Sequence, residues 1–158
     1  MIGMGNIYRI NAGIHLDGGS AMSEITVCDG RVCIIKLTEL SDENENSDVL
    51  KNTLLDFTTS TKFHECDLDT FLFVDLSPFH SISSSLIGIF GSIIMNNKIQ
   101  LLGLCKARPE VLEILKRFGV ITDDGLGMSF ASEKIKQNIR KVISFDSVED
   151  GLLSLNPN

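Results

Sequence analysis

Residues 70–98, TFLFVDLSPFHSISSSLIGIFGSIIMNNK, carry a strand, a serine-rich turn and an apolar helix in immediate succession. Residues 71–76 form a short apolar run closed by Asp75 and Ser77. Pro78 has no amide hydrogen to give to a ladder, so the strand is expected to stop there. Ser83, Ser84 and Ser85 stand directly before Leu86, Ile87, Ile89, Phe90, Ile93 and Ile94, where a helix N-cap belongs. A hydroxyl there lies near unsatisfied backbone N–H groups and the positive end of the helix dipole. It can cap the helix, or occupy a place where a phosphate is stabilised.

The flanks extend the same alternation. Residues 24–28 and 32–37 are apolar, β-branched runs separated by Asp29-Gly30, which predicts a hairpin. Residues 41–48, SDENENSD, read as a solvated acidic loop with a late member capping the next helix. Apolar positions 50, 54, 55 and 57 predict that helix, amphipathic, over 49–57. Residues 99–104 read as a buried strand. Residues 108–119, RPEVLEILKRFG, read as a helix with Pro109 and Glu110 in its first turn and Gly119 ending it. Val111, Leu112, Leu115 and Phe118 share its apolar face, and Lys116 and Arg117 suit the negative end of its dipole.

Residues 121–141 are less regular, with a turn at Asp123-Asp124-Gly125 and Gly127 and a short helix over 132–141. Residues 142–145 read as a strand, and 148–155 as a helix started by Asp146 or Ser147. Residues 1–22, rich in glycine with a brief alternation at 7–10, are an extension, either an added edge strand or an appended segment. Residues 23–158 form one domain. The order implies the α/β class, with a mixed sheet of about four to five strands and helices packed against it.

Composition narrows the function classes. A chain of 158 residues can bury its own core. Fourteen Lys and Arg against 21 Asp and Glu leave a net charge of −7, which argues against nucleic-acid binding, since phosphates are neutralised by clustered cations. The longest apolar stretch, 86–95, is interrupted by Gly88, Gly91 and Ser92 and reaches about half the length of a membrane span, so direct insertion is not expected. The N-terminus has no basic region followed by an apolar stretch, so no secretory signal is read there. Cys28, Cys33, Cys66 and Cys105 show no disulfide-like framework, which fits reduced thiols in a cytoplasmic protein.

In element order and motif the chain resembles the STAS domain of anti-sigma factor antagonists. That family carries a strand ending in Asp-Leu-Ser, then Asp-Ser-Ser-Gly-Leu-Gly opening the next helix. Asp75-Leu76-Ser77 matches the first motif, and residues 83–88, SSSLIG, occupy the place of the second. The strand IQLLGL, the helix PEVLEILKRFGV and the closing segment DSVEDGL resemble the family's later elements, so the similarity spans roughly residues 24–155. It implies a STAS-like fold and a non-enzymatic interaction module in the cytoplasm, without a cofactor, whose partner is an anti-sigma factor or serine protein kinase. It also implies that Ser84 is the phospho-acceptor. Ser83 stands where the family has aspartate, and Leu86 where it has glycine.

Ser83, Ser85, Leu86, Gly88 and Ser92 are the expected partner-facing residues. Ser84, Gly88 and Ser92, four apart, lie along one side of the helix as a stripe of small side chains that a partner helix could approach. A homodimer is a further expected partner arrangement. Two other readings stand beside this one: a STAS scaffold or subunit of a membrane transport complex that never switches, and a small ligand- or nucleotide-binding α/β protein.

Catalytic readings find little support in the residues. His64-Glu65-Cys66 has no second ligand pair at usable spacing. Cys105 lies between a strand and a helix, but Cys105-Lys106-Ala107-Arg108 lacks phosphatase-loop spacing and no Cys-x-x-Cys occurs, so an inert buried thiol is expected. Gly3-x-Gly5 and Gly125-x-Gly127 lack the context of nucleotide loops. Lys134, Lys136, Arg140 and Lys141 read as the solvated face of a short helix, or as a docking surface for an acidic partner.

Overall fold

The computed structural model of the protein describes residues 7–10, 22–28, 32–59, 70–121 and 141–155. The strands and helices are β1 (Ile7–Ile10), β2 (Met22–Cys28), β3 (Val32–Glu39), α1 (Glu43–Thr59), β4 (Thr70–Asp75), α2 (Ser84–Ile94), β5 (Ile99–Cys105), α3 (Pro109–Arg117), β6 (Val142–Phe145) and α4 (Val148–Leu155). The six described strands join one sheet, and their order across it is their order in the chain. β1, β2 and β3 pair antiparallel, whereas β3, β4, β5 and β6 pair parallel. The sheet is mixed, as the sequence predicts, and the alternation at 7–10 supplies a sixth strand at its edge.

Crossovers of one hand that each step one strand in the same direction leave their helices on one face. Leu50, Leu54 and Phe57 of α1, Leu86, Phe90 and Ile93 of α2, and Val111 and Leu115 of α3 share one core with Ile25, Ile35, Leu72, Val74, Leu102 and Leu104. The other face is small. There Phe73, Leu101, Cys105 and Val32 pack with Phe145 and with Val148, Leu152 and Leu155 of α4.

α4 can lie so close because two glycines meet there. A Cβ on Gly103 would come within 2.5 Å of the Phe73 ring, and one on Gly151 within 2.5 Å of the same ring from the helix side. The absence of both side chains makes room for a fully buried Phe73, whose ring lies 6.0 Å from that of Phe145.

Several local expectations change. The acidic stretch is not a loop: Glu43–Thr59 is helical, and the cap is an early residue, Asp42, whose Oδ1 accepts from Glu45 N at 2.8 Å. Glu43 and Glu45 in the first turn suit the positive end of the dipole, which carries the helix back through residues that composition alone marks as loop. Phe118 is 56% exposed, because α3 ends one residue before it and its backbone turns toward Gly119 at φ 75°. Lys141 is half-buried and donates from Nζ to Ile94 O at 3.2 Å, so it satisfies the end of α2 and is not part of a solvated helix face. Burial lowers its pKa. The turn at Asp29-Gly30, His64-Glu65-Cys66, the turn at 123–127 and residues 132–140 lie outside the described residues.

Buried polar groups are matched. The Ser23 and Thr53 hydroxyls, both buried, pair between β2 and α1, and Thr53 Oγ1 also lies 2.7 Å from Val49 O. Among the described residues no buried side-chain nitrogen or oxygen lacks a partner.

Candidate functional site

The carboxyl ends of β3, β4 and β5 and the amino ends of α1, α2 and α3 gather at one edge of the molecule, joined by residues 40–42, 76–83 and 106–108. The middle connection is the longest and is tied down on three sides. Asp75 Oδ1 accepts from Ser77 N at 2.8 Å, closing a tight turn directly after the strand. Glu43 Oε1, from the start of α1, accepts from His80 N at 2.7 Å and Ser81 N at 3.0 Å. Arg108, the N-cap residue of α3, donates from Nε to Ser77 O at 3.1 Å. His80 Nδ1 lies 3.5 Å from Glu110 Oε1, a contact that is ionic only when the imidazole is protonated.

This anchoring fixes where α2 begins. Ser83 is its N-cap, its Oγ accepting from Leu86 N at 3.2 Å. Ser84 is therefore the first helical residue, and its hydroxyl is exposed with no partner among the described residues. Ser85 Oγ lies 3.2 Å from Ser83 Oγ and 3.4 Å from Lys51 Nζ of α1, which also contacts Asp48 at 3.5 Å. A cation thus stands beside the serine cluster at a helix end already favourable to negative charge.

The stripe expected to face a partner is exposed. Ser84, Gly88 and Ser92 all point to solvent, and a Cβ on Gly88 or Gly91 would meet nothing within 4 Å. Ser92 Oγ folds back to Gly88 O at 3.2 Å. Leu86 is a correction: it is fully buried, 0% exposed, packed in the main core with Phe90 and Ile93, so it cannot touch a partner. Helical spacing places Leu86, Phe90 and Ile93 on the side opposite the stripe. Asp75 and Ser77 lie at the strand end as the motif predicts, and act there as turn residues.

A second feature of this edge was not legible in the sequence. A cleft of about 500 Å³ opens between the start of α1 and the connection after β4, lined by Leu40, Ser41, Glu43, Asn46, Ser77, Pro78, His80 and Arg108. Asn46, buried, grips Ser41 through Oδ1 to its N–H at 2.8 Å and through Nδ2 to its carbonyl at 3.2 Å, which stiffens that wall. Leu40 is 60% exposed at the mouth. The residues come from three separate segments, and only the folded sheet brings them together.

No family model, no curated protein and no solved structure matches this chain. The chemistry must be judged from the residues themselves. Among the described residues no group of His, Cys, Asp and Glu could hold a metal ion, and no helix is long and apolar enough to cross a membrane.

Cys105 is fully buried, and burial, helped by the Asp75 and Glu149 charges and opposed by Lys106, pushes its thiol from 9.0 up to about 12. Such a thiol is a poor nucleophile at neutral pH. It also has a consequence for stability. The unfolded chain releases this proton near 9, whereas the folded chain holds it to about 12. Across that window the unfolded state binds fewer protons, so the thiol's contribution falls as pH rises, by about 1.4 kcal/mol per pH unit for one proton. Melting curves from pH 8 upward are expected to fall more steeply for wild type than for Cys105→Ala. Parallel slopes for the two proteins would refute this assignment.

Proposed function

We propose that the chain is a non-enzymatic regulatory interaction module of the anti-sigma factor antagonist type, acting in the cytoplasm, with Ser84 as its phospho-acceptor. The observation that carries this reading is the Ser84 hydroxyl, exposed and unpartnered among the described residues, in the first turn of α2. A kinase needs an accessible hydroxyl on a segment it can engage. A phosphate there adds about −1.5 to −2 charges next to the exposed stripe formed by Ser84, Gly88 and Ser92. Ser83, Ser85 and Lys51 border the same patch.

In this reading an anti-sigma factor or serine protein kinase docks on α2 through the small-residue stripe. Phosphorylation then weakens docking by placing charge in a closely packed contact. Ser83 in place of the family's aspartate removes a like charge beside the phosphate. Leu86 in place of its glycine is absorbed by the core, so that departure leaves the exposed surface untouched.

The test joins modification with binding. Incubation with a serine kinase of this class and ATP is expected to add one phosphate to wild type and none to Ser84→Ala, read by mass spectrometry. Ser84→Glu is expected to bind the partner at least about tenfold more weakly than wild type. Equal affinity for wild type and Ser84→Glu, or phosphate found elsewhere than Ser84, would count against the switch.

A further inference from the structure

We infer that the cleft at the carboxyl edge of the sheet is a binding site for a small zwitterion, a free amino acid or dipeptide with an apolar side chain. Its volume of about 500 Å³ lies within the range of small-molecule pockets. The lining divides by chemistry. Arg108 uses Nε to hold Ser77 O, which fixes the guanidinium, and its terminal nitrogens have no partner among the described residues. A guanidinium held by one nitrogen still presents a donor pair suited to a carboxylate.

Glu43 supplies the opposite charge. Its Oε1 is occupied by His80 N and Ser81 N, while Oε2 makes no hydrogen bond to the described residues, leaving an acceptor for an ammonium group. Leu40 and Pro78 add apolar surface to the same lining, and the Ser77 hydroxyl has no partner among the described residues. A fixed cation, a fixed carboxylate and an apolar wall in one cleft match a ligand bearing both charges and a hydrocarbon side chain. A simple anion would leave Glu43 Oε2, and a simple amine the terminal nitrogens of Arg108, without a ligand group to bind.

The site is preorganised. The loop carrying Ser77, Pro78 and His80 is tied to α1 through Glu43 and to α3 through Arg108, and Ser41 is held by Asn46. The proposal is independent of Ser84, which does not line the cleft.

The experiment is amide chemical-shift mapping on the full chain with the aliphatic and aromatic L-amino acids and their dipeptides. For whichever binds best, the N-acetylated and C-amidated forms complete the set. Saturable shifts at Leu40, Ser41, Ser77 and His80 are expected, with affinity falling about tenfold on loss of either ligand charge. Arg108→Gln is expected to abolish discrimination between the acid and its amide. Glu43→Gln, whose amide oxygen still accepts the two loop N–H groups, should abolish discrimination between the free and acetylated amine. Absence of saturable shifts for every ligand overturns the proposal, as do shifts insensitive to both substitutions in folded variants. Retained binding in Ser84→Ala supports the independence of this site from the phosphorylation reading.

Discussion

Leu86→Ala is expected to destabilise the protein by about 2–5 kcal/mol, whereas Gly88→Ala, two residues further along the same helix, should stabilise it by about 0.5–1 kcal/mol. The contrast follows from the two sides of α2. Leu86 is fully enclosed with Phe90, Ile93 and the sheet residues Leu72 and Leu102, so removing three carbons leaves a cavity in a close-packed core. A Cβ on Gly88 meets nothing, and alanine restricts the unfolded chain and favours the helix. Urea denaturation of the single variants measures both. If Gly88→Ala proved as damaging as Leu86→Ala, the stripe would be packed rather than exposed. Under the proposed function, the Gly88→Ala variant should also bind its partner more weakly despite its greater stability, because the new methyl stands where the partner helix approaches.

The second large effect lies on the opposite face. Gly103→Ala and Gly151→Ala are each expected to cost about 1–3 kcal/mol, with Gly151→Ala loosening α4 in particular. The new methyl at 103 would lie 2.5 Å from Phe73 Cδ1 and 3.0 Å from Phe145 Cε2. At 151 it would lie 2.5 Å from Phe73 Cε1 and 2.8 Å from Cδ1. Phe73 is wholly buried on a central strand and cannot turn away without displacing its neighbours. A fall in Tm of about 2–4 °C per kcal/mol is expected for a chain of this size. Phe73→Leu should relieve part of the clash, so Gly151→Ala with Phe73→Leu should lose less stability than the two single losses added together. Strict additivity in that cycle would show that the helical glycine does not answer to the ring.

The same contrast explains which parts of the structure were visible in the residues. Strands that bury a continuous apolar stretch, β4 and β5, could be read, and β6 and α4, only partly buried, also fall on 142–145 and 148–155 as expected. The cap of α2 was legible because hydroxyl residues directly precede a run of branched side chains. The start of α1 was not, because its first turn is stabilised by dipole and capping interactions that leave no apolar signature. The place of Leu86 in the serine motif points to the surface, but its spacing from Phe90 and Ile93 puts it in the core.

The site was legible in part for a different reason. Ser83, Ser84 and Ser85 are contiguous, so their placement needs only one local event. The cleft joins Glu43, His80 and Arg108, which are brought together by the pairing of β3 with β4 and of β4 with β5. No periodicity in a single segment encodes that meeting. Likewise, the hydroxyl pair between Ser23 and Thr53 links residues 30 apart, and only the packing of α1 over β2 reveals it. Gly103 and Gly151 look like a weak strand residue and a weak helix residue until the ring between them is known.

The sheet's strand order bears on how the chain acquires its shape. Each described strand after β1 hydrogen-bonds to the described strand before it, so neighbours in this sheet are also neighbours in the chain. Loop-closure entropy is met one connection at a time, and the sheet can grow outward from whichever hairpin or crossover nucleates first. Such an arrangement favours rapid folding for a parallel-rich protein, with few opportunities for a half-made sheet to pair with the wrong neighbour.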